Sequence, residues 1–123
     1  MAHPQTLHTT QADMLRALAH PTRLQIMDVL REGEACVCHI QAMLGLRQAN
    51  VSQHLMALRE AGLVTSRKEG LHVYYQMRNR QVLNVLDGVE DIACAHNNGV
   101  RPTTDRKPRV RCNCPQCAER SGE

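Results

Sequence analysis

Residues 37–62 read VCHIQAMLGLRQANVSQHLMALREAG and contain two apolar-periodic segments separated by Gly45. The spacing of the apolar residues predicts a short helix over 37–44 and a second helix over about 48–61. The apolar positions of the second helix recur at i, i+4 and i+7, at Val51, Leu55 and Leu58. Two helices joined by a tight turn that contains glycine are typical of a helix-turn-helix.

The segments on either side predict further helices and a hairpin. Upstream, helical spacing predicts a helix over about 10–19, and Pro21 suits the first turn of another helix. Downstream, two runs rich in β-branched and aromatic residues flank the turn at Glu69 and Gly70, which predicts a β-hairpin. A long amphipathic helix over about 80–96 follows. The predicted fold is mainly α with one β-hairpin, a winged helix-turn-helix whose hairpin lies between the fourth and fifth helices.

The core of this fold has to be aliphatic, because the chain of 123 residues contains no Phe and no Trp. One domain is expected from this length. In the first two helices, the apolar positions expected to face inward are Met14, Leu15, Leu18, Leu24, Ile26, Met27 and Leu30.

The net charge of +3 is unevenly distributed along the chain. Residues 1–100 carry nine basic and nine acidic side chains, whereas residues 101–123 carry six basic and three acidic ones. The overall charge therefore says little about nucleic acid, and the local pattern has to decide. The start resembles no secretory signal, and no apolar run approaches the roughly 20 residues of a membrane span. We expect a cytoplasmic protein without a membrane partner.

The stretch 47–54 carries one basic and no acidic side chain at the start of the second helix of the motif. Asn and Gln pair with adenine edges, and Ser donates to bases or phosphates. Recognition helices present such residues to the major groove from their N-terminal end. The residues predicted to contact DNA here are Arg47, Gln48, Asn50, Ser52, Gln53 and His54. In the hairpin, Arg67 and Lys68 are predicted to contact phosphates. A solvated polar face is the alternative, but the helix-turn-helix spacing and the basic hairpin favour DNA.

Six cysteines in a chain without a secretory signal favour metal-binding or reactive thiols over disulfides. Cys36 and Cys38 lie where the third helix starts. Residues two apart on a regular helix do not face each other, so Cys36 has to lie outside the helix if both sulfurs bind one ion. The positive end of a helix favours the thiolate form. Packing of a small apolar thiol is the alternative.

A second cluster is the C-x-C-x-x-C loop of Cys112, Cys114 and Cys117. Soft thiolates select zinc, cadmium, lead, copper(I) or arsenic(III) over hard ions. Zinc usually takes four ligands, and neither cluster supplies four sulfurs. We therefore expect the tail to fold back onto Cys36 and Cys38, of its own or the partner protomer. Alternatively, the tail binds a structural zinc or no ion.

The ordered motifs of residues 10–96 resemble the ArsR/SmtB family of metal-sensing repressors. These motifs are Ala-His-Pro-Thr-Arg-Leu, Cys-Val-Cys, Val-Ser-Gln-His-Leu and Leu-Arg-Glu-Ala-Gly-Leu-Val. The resemblance implies a homodimer joined by the first and last helices, which binds an inverted repeat in promoter DNA and releases it when an inducer binds. It also implies that Gln48, Ser52, Gln53 and His54 face DNA, and that Cys36 and Cys38 ligate a thiophilic ion.

The chain departs from the family pattern around the metal site. His39, Ile40 and Gln41 follow Cys38 where arsenic-responsive members often carry a third cysteine, and residues 1–35 contain no cysteine. The usual Asp-x-His pairing of the zinc and nickel site on the last helix is absent. The tail cysteines are the obvious substitutes, and cadmium, lead, zinc or arsenite is the expected inducer.

Together these features predict the organisation of the chain. Residues 1–9 are expected to form a flexible leader, residues 10–98 the DNA-binding and dimerisation domain, and residues 99–123 a flexible, basic, cysteine-rich tail.

Two other functions are alternatives to a metal-responsive repressor. A thiol redox or persulfide-sensing repressor of the same fold would use Cys38 and Cys94, and oxidant rather than metal would release it. A thiol oxidoreductase would need a C-x-x-C pair at a helix start in a βαβ setting. Only Cys114 and Cys117 have that spacing, in a predicted loop, so no enzyme activity is expected.

Overall fold

The computed structural model describes residues 6–99, and within them the predicted mainly helical fold with a hairpin between the fourth and fifth helices is confirmed. The elements are α1 (Leu7–Leu18), α2 (Pro21–Leu30), β1 (Ala35–Cys36), α3 (Val37–Leu44), α4 (Gln48–Glu60), β2 (Val64–Glu69), β3 (His72–Met77) and α5 (Val82–His96). We call the hairpin of β2 and β3 the wing. None of the helices in this part of the chain has the length and apolar character needed to cross a membrane.

The turn between α3 and α4 is set by Gly45. This residue follows the last residue of α3 with φ of 66° and ψ of 30°, and its N–H donates to the Gln41 carbonyl at 2.8 Å. Glycine adopts this left-handed conformation without the clash that a Cβ causes, so it ends α3 where the sequence predicted. Only Leu46 and Arg47 then separate Gly45 from α4.

The core is aliphatic, as the composition required, and it lies between the helix-turn-helix, α2 and the base of the wing. The fully buried side chains that α2, α3 and α4 contribute are Ile26, Met27, Leu30, Ile40, Val51, Leu55 and Leu58. Val64 and Met77 of the wing, and Leu63 just before it, close the core on the other side. The helix-turn-helix is therefore held rigidly by its apolar side.

Strand β1 is an element that the sequence did not predict. Ala35 and Cys36 pair antiparallel with Tyr75 and Tyr74 of β3, which gives a sheet of order β1-β3-β2. Two residues are too few to show the alternation of apolar and polar side chains that predicts a strand. This strand is defined by its pairing with β3. Its consequence is that Cys36 is attached to the wing.

The prediction of a flexible leader over residues 1–9 is wrong for its last residues, because α1 begins at Leu7. Thr6 is the N-cap, and its side-chain oxygen accepts the N–H of Thr9 at 3.1 Å. This contact satisfies one of the backbone donors that the first helical turn leaves without a partner.

Several apolar residues expected in the core are exposed. Met14 and Leu15 of α1 are 37% and 53% exposed, and Leu24 of α2 is 40% exposed. On α5, the exposed apolar residues are Val85, Val89 and Ile92. Periodicity identified these apolar faces correctly, but a single protomer does not cover them.

Helix α5 is tied to the end of α2 by polar contacts. The Arg31 guanidinium donates to Asp87 at 2.8 Å, and Arg80 donates to the Arg31 carbonyl oxygen at 2.8 Å. At its far end, α5 ends at His96, and Asn98 and Gly99 beyond it both have positive φ. The Gly99 N–H donates to the Cys94 carbonyl at 2.8 Å, and the end predicted at about residue 96 is confirmed.

Candidate DNA interface and cysteine site

The start of α4 presents polar side chains to solvent. Gln48, Asn50 and Gln53 are exposed, Ser52 is half-buried, and the opposite side of the helix is fixed in the core. Arg47 is the N-cap with extended backbone, its side chain is exposed, and no acidic residue lies in the first turn. A helix N-terminus carries partial positive charge and favours nearby anions. Exposed amide side chains beside a positive helix end suit contacts with the edges of bases and with the phosphates next to them.

His54 differs from the other predicted DNA contacts because its ring packs against α2. Its Nδ1 accepts a hydrogen bond from Arg23 Nε at 3.2 Å, and its ring centroid lies 4.5 Å from that of His20. Burial lowers the pKa of His54, and the charges of His20 and Arg23 lower it further. The neutral ring that accepts from Arg23 thus holds α4 against α2, and a base contact by His54 stays a prediction.

Arg23 is a residue of the site that sequence reasoning missed. Besides its bond to His54, its guanidinium donates to the Ala17 carbonyl at 3.2 Å, so it joins α1, α2 and α4. His20 caps the same helix, since its Nδ1 accepts the N–H of Thr22 at 3.1 Å. The signal was present in the Ala-His-Pro-Thr-Arg-Leu motif, but nothing local showed where the arginine pointed.

The wing places its two adjacent basic residues in different surroundings. Arg67 forms ion pairs with Glu34, at 2.6 Å, and with Glu69, at 2.6 Å. The hydrogen bond to Glu34, followed by that to Glu69, raises the pKa of Arg67, and Arg67 in turn lowers the pKa of Glu34. Lys68 is exposed, and the turn beyond it exposes Leu71 almost completely. A phosphate contact by Arg67 stays a prediction, and it competes with two carboxylates.

The cysteine pair lies at the start of α3. Cys36 is the N-cap, with φ of −75° and ψ of 157°, and its sulfur accepts the N–H of His39 at 3.2 Å. The prediction that Cys36 lies outside the helix is therefore confirmed. The sulfurs of Cys36 and Cys38 lie 2.6 Å apart. Cys36 is buried and Cys38 half-buried, so the pair opens to the surface on one side.

The pair fits part of a thiolate metal site. Two ligands at about 2.3 Å from a tetrahedral ion lie roughly 3.8 Å apart, so these sulfurs would have to separate by about 1 Å. Within residues 6–99, no group of three or more His, Cys, Asp and Glu side chains is placed to hold a metal ion. The predicted ligands Cys112, Cys114 and Cys117 lie outside the described residues. Cys94, which the redox alternative pairs with Cys38, is buried in α5.

The buried helix-turn-helix, the exposed polar start of α4 and the wing define a winged helix-turn-helix transcription regulator. Residues 20–66 match the sequence profile of bacterial regulatory proteins of the arsR family. A biofilm growth-associated repressor of Agrobacterium fabrum is 37% identical over 87 residues, covering 71% of this chain and 74% of the relative. The chain belongs to the ArsR family and is a transcriptional repressor of that family.

Two further similarities agree with this assignment. The repressor SmtB of Mycobacterium tuberculosis is 38% identical over 87 residues, covering 70% of this chain and 64% of its own length. The homodimeric winged helix-turn-helix DNA-binding domain of a possible ArsR-family regulator from Mycobacterium bovis superposes with a TM-score of 0.67 at 34% identity, covering 78% of this chain and 93% of that domain. The family and these relatives are DNA-binding regulators rather than enzymes.

Proposed function

We propose that this repressor binds an inverted repeat in promoter DNA as a homodimer and releases it when a thiophilic ion binds Cys36 and Cys38. The observation that carries the proposal is the approach of the two sulfurs to 2.6 Å at the start of α3, the first helix of the helix-turn-helix. Cadmium, lead, zinc and arsenite are the candidate inducers, because sulfur ligands select such soft ions.

In this proposal the tail completes the site with Cys112, Cys114 and Cys117. Two sulfurs leave zinc or cadmium short of the usual four ligands, and residues 6–99 supply no third metal-ligating side chain beside them. The tail ligands come from the same protomer or from its partner.

The homodimer is supported by the exposed apolar faces of α1 and α5. Leu7, Leu15, Val85, Val89 and Ile92 are 46–72% exposed, which a stable soluble chain tends to cover. Two copies joined through these helices would place their α4 helices in successive major grooves, about 34–36 Å apart. Gln48, Asn50, Ser52 and Gln53 would then contact base edges, and Arg47 and the basic residues of the wing would contact the phosphates.

Release follows from where Cys36 sits. Cys36 and Cys38 would hold the ion with their sulfurs further apart, and this separation would move the first turn of α3, because Cys36 is the N-cap of that helix. Helix α3 packs on α4 in the common core, so its displacement would change the position of α4 relative to the dimer axis. A coupling of about 1–3 kcal/mol between ion and DNA suffices for strong regulation.

An anaerobic titration of the reduced chain with cadmium, lead, zinc and arsenite tests the proposal. Absorbance would follow sulfur-to-metal charge transfer, and fluorescence anisotropy would follow a labelled duplex selected from random DNA by the chain. We expect one ion per protomer and loss of DNA binding. A double Cys36→Ser, Cys38→Ser variant should keep DNA binding and lose both responses, whereas Cys94→Ala should retain them. Undiminished release in the double variant would refute the proposal.

A thiol redox repressor is the second candidate, and the same 2.6 Å approach of Cys36 and Cys38 favours it. An oxidant such as diamide would take two electrons and two protons from a thiol pair and leave a disulfide. Pairing of Cys38 with Cys94 stays a prediction. Release by diamide without metal, insensitive to chelator, would support this candidate, and the response of Cys94→Ala would then show which sulfur Cys38 joins.

A further inference from the structure

We infer that Arg67 is a positioning residue that couples the Cys36 segment to the wing, and that Lys68 is the wing's phosphate contact. The part of this inference that concerns release by an ion rests on the proposed function. The part that concerns the two basic residues rests only on the chain being a DNA-binding repressor.

The first observation is a row of side chains across the sheet. Tyr74 of β3 is directly opposite Cys36 on one side and directly opposite Arg67 on the other. Directly opposed residues of antiparallel strands project from the same face of a sheet. The guanidinium carbon of Arg67 lies 4.7 Å from the centroid of the Tyr74 ring, within the range of a cation–π contact. Cys36, Tyr74 and Arg67 therefore form one continuous row.

The second observation is that Arg67 closes this row back onto the cysteine segment. Its Nε and Nη2 atoms donate to the two carboxylate oxygens of Glu34 at 2.8 and 2.6 Å, a two-pronged geometry that fixes orientation as well as distance. Glu34 lies two residues before Cys36 and 33 residues before Arg67. The remaining Nη1 atom donates to Glu69 at 2.6 Å. Arg67 is thus committed to carboxylates on both sides.

Lys68 has the opposite surroundings. As the neighbour of Arg67 along β2 it projects from the other face of the sheet, and it is exposed. Across residues 6–99 it makes no ion pair, so its ammonium needs no carboxylate to be displaced before it reaches a phosphate. The next residue toward the tip, Glu69, directs its carboxylate to Arg67 instead.

Through these contacts, binding of an ion by Cys36 and Cys38 would affect the wing. Separation of the two sulfurs would displace Cys36 and, along the same short segment, Glu34. The guanidinium of Arg67 that is paired with Glu34 would follow and turn β2, which carries Lys68. The link between Glu34 and Arg67 thus adds a side-chain connection between the cysteine segment and the wing to the backbone pairing of β1 with β3.

The salt dependence of DNA binding separates the two basic residues. Each phosphate contact contributes about 0.9 to the slope of log affinity against log salt, so Lys68→Gln should reduce the slope by about 2 for a dimer. Arg67→Gln should weaken binding by misplacing the wing and change the slope by less than half as much. Equal losses of slope in Arg67→Gln and Lys68→Gln would overturn the assignment.

Release by cadmium chloride tests the coupling, measured as the ratio of DNA dissociation constants with and without saturating ion. Glu34→Gln and Arg67→Gln should each reduce this ratio by about fivefold or more, with an unchanged charge-transfer band. Lys68→Gln, which removes a neighbouring charge without breaking this link, should keep the ratio. Thermal unfolding of each variant confirms that it is folded.

The outcomes distinguish this inference from the proposed function. A wild-type chain that cadmium does not release overturns both the proposed metal response and the coupling, while the salt slopes still decide the role of Arg67. A wild-type chain that is released, together with an Arg67→Gln variant that is released to the same extent, overturns the coupling alone.

Discussion

The start of α4 and the wing present polar side chains to solvent in two different ways. On α4, exposed amide side chains stand on a helix whose other side is buried, and no acidic residue lies near them in the first turn. On the wing, Arg67 is also exposed, but it is held by Glu34 and Glu69. Exposure alone therefore does not identify a DNA contact. What matters is whether a side chain has to give up a partner before it can bind.

The exposed residues of α4 keep their positions only if the buried side chains of that helix anchor it in the core. Leu55→Ala should lower the free energy of unfolding by about 2–5 kcal/mol, because it removes a fully buried side chain and leaves a cavity. Met56→Ala is the matched control on the same helix, since Met56 is 60% exposed, and it should change the value by less than about 1 kcal/mol. Urea denaturation measures both, and equal losses would mean that α4 is not anchored as described.

A smaller effect is expected at the exposed side of α4. Gln53→Ala should weaken binding to the selected duplex by about 1–3 kcal/mol and relax the preference at one base pair. Gln81→Ala, an exposed glutamine at the start of α5, should leave affinity within about twofold. Anisotropy titrations against single-base variants of the duplex would check this. A uniform loss across all sequences would make Gln53 a phosphate contact instead.

The junction of α4 with α2 should respond to pH. The pKa of His54 is lowered in the folded chain, so between the folded and unfolded pKa values the unfolded chain binds more protons. Stability is therefore present above the unfolded value of about 6.5 and is lost as the pH falls through the folded pKa.

As the pH is lowered from above about 6.5 through the folded pKa of His54, the unfolding midpoint should fall more in the wild-type chain than in His54→Gln. The imidazolium that forms loses the lone pair that accepts from Arg23 and is repelled by that guanidinium and by His20. Parallel pH profiles for the two chains would show that His54 does not titrate in this way.

The smallest effect is expected at the tip of the wing. Leu71 is 97% exposed, so Leu71→Ser should change the free energy of unfolding by less than about 0.5 kcal/mol. The same substitution should leave the salt slope of DNA binding unchanged, because it alters no charge. A large loss of stability, measured by urea denaturation, would contradict the exposed position of Leu71.

Local sequence patterns predicted the helix-turn-helix well. They could not predict contacts between residues that are distant in the sequence. Gly45 and the periodic apolar residues of α4 act within a few positions of the chain, so both helices followed from the sequence. The contacts of Arg23 with His54 and of Arg67 with Glu34 span 31 and 33 residues. No pattern within one segment contains such a pair.

For α1 and α5, the periodicity of the sequence identifies the apolar faces but does not identify what covers them. The spacing of Met14 and Leu15 correctly indicated an apolar side of α1, but both residues are exposed. An apolar stripe shows that a face tends to be covered, and it does not show whether the same chain or another copy covers it. Strand β1 escaped prediction for a related reason, since its two residues are ordered by β3.

The N-cap position of Cys36 bears on how such a repressor can change over evolution. Serine is among the preferred N-cap residues, and its oxygen accepts the same backbone hydrogen bond that the sulfur now accepts from His39. Exchange of one sulfur for oxygen thus keeps α3 capped while it removes a soft donor atom. If the proposed thiolate site is the inducer site, a lineage can lose inducibility by this exchange without losing its fold, and the product is a constitutive repressor.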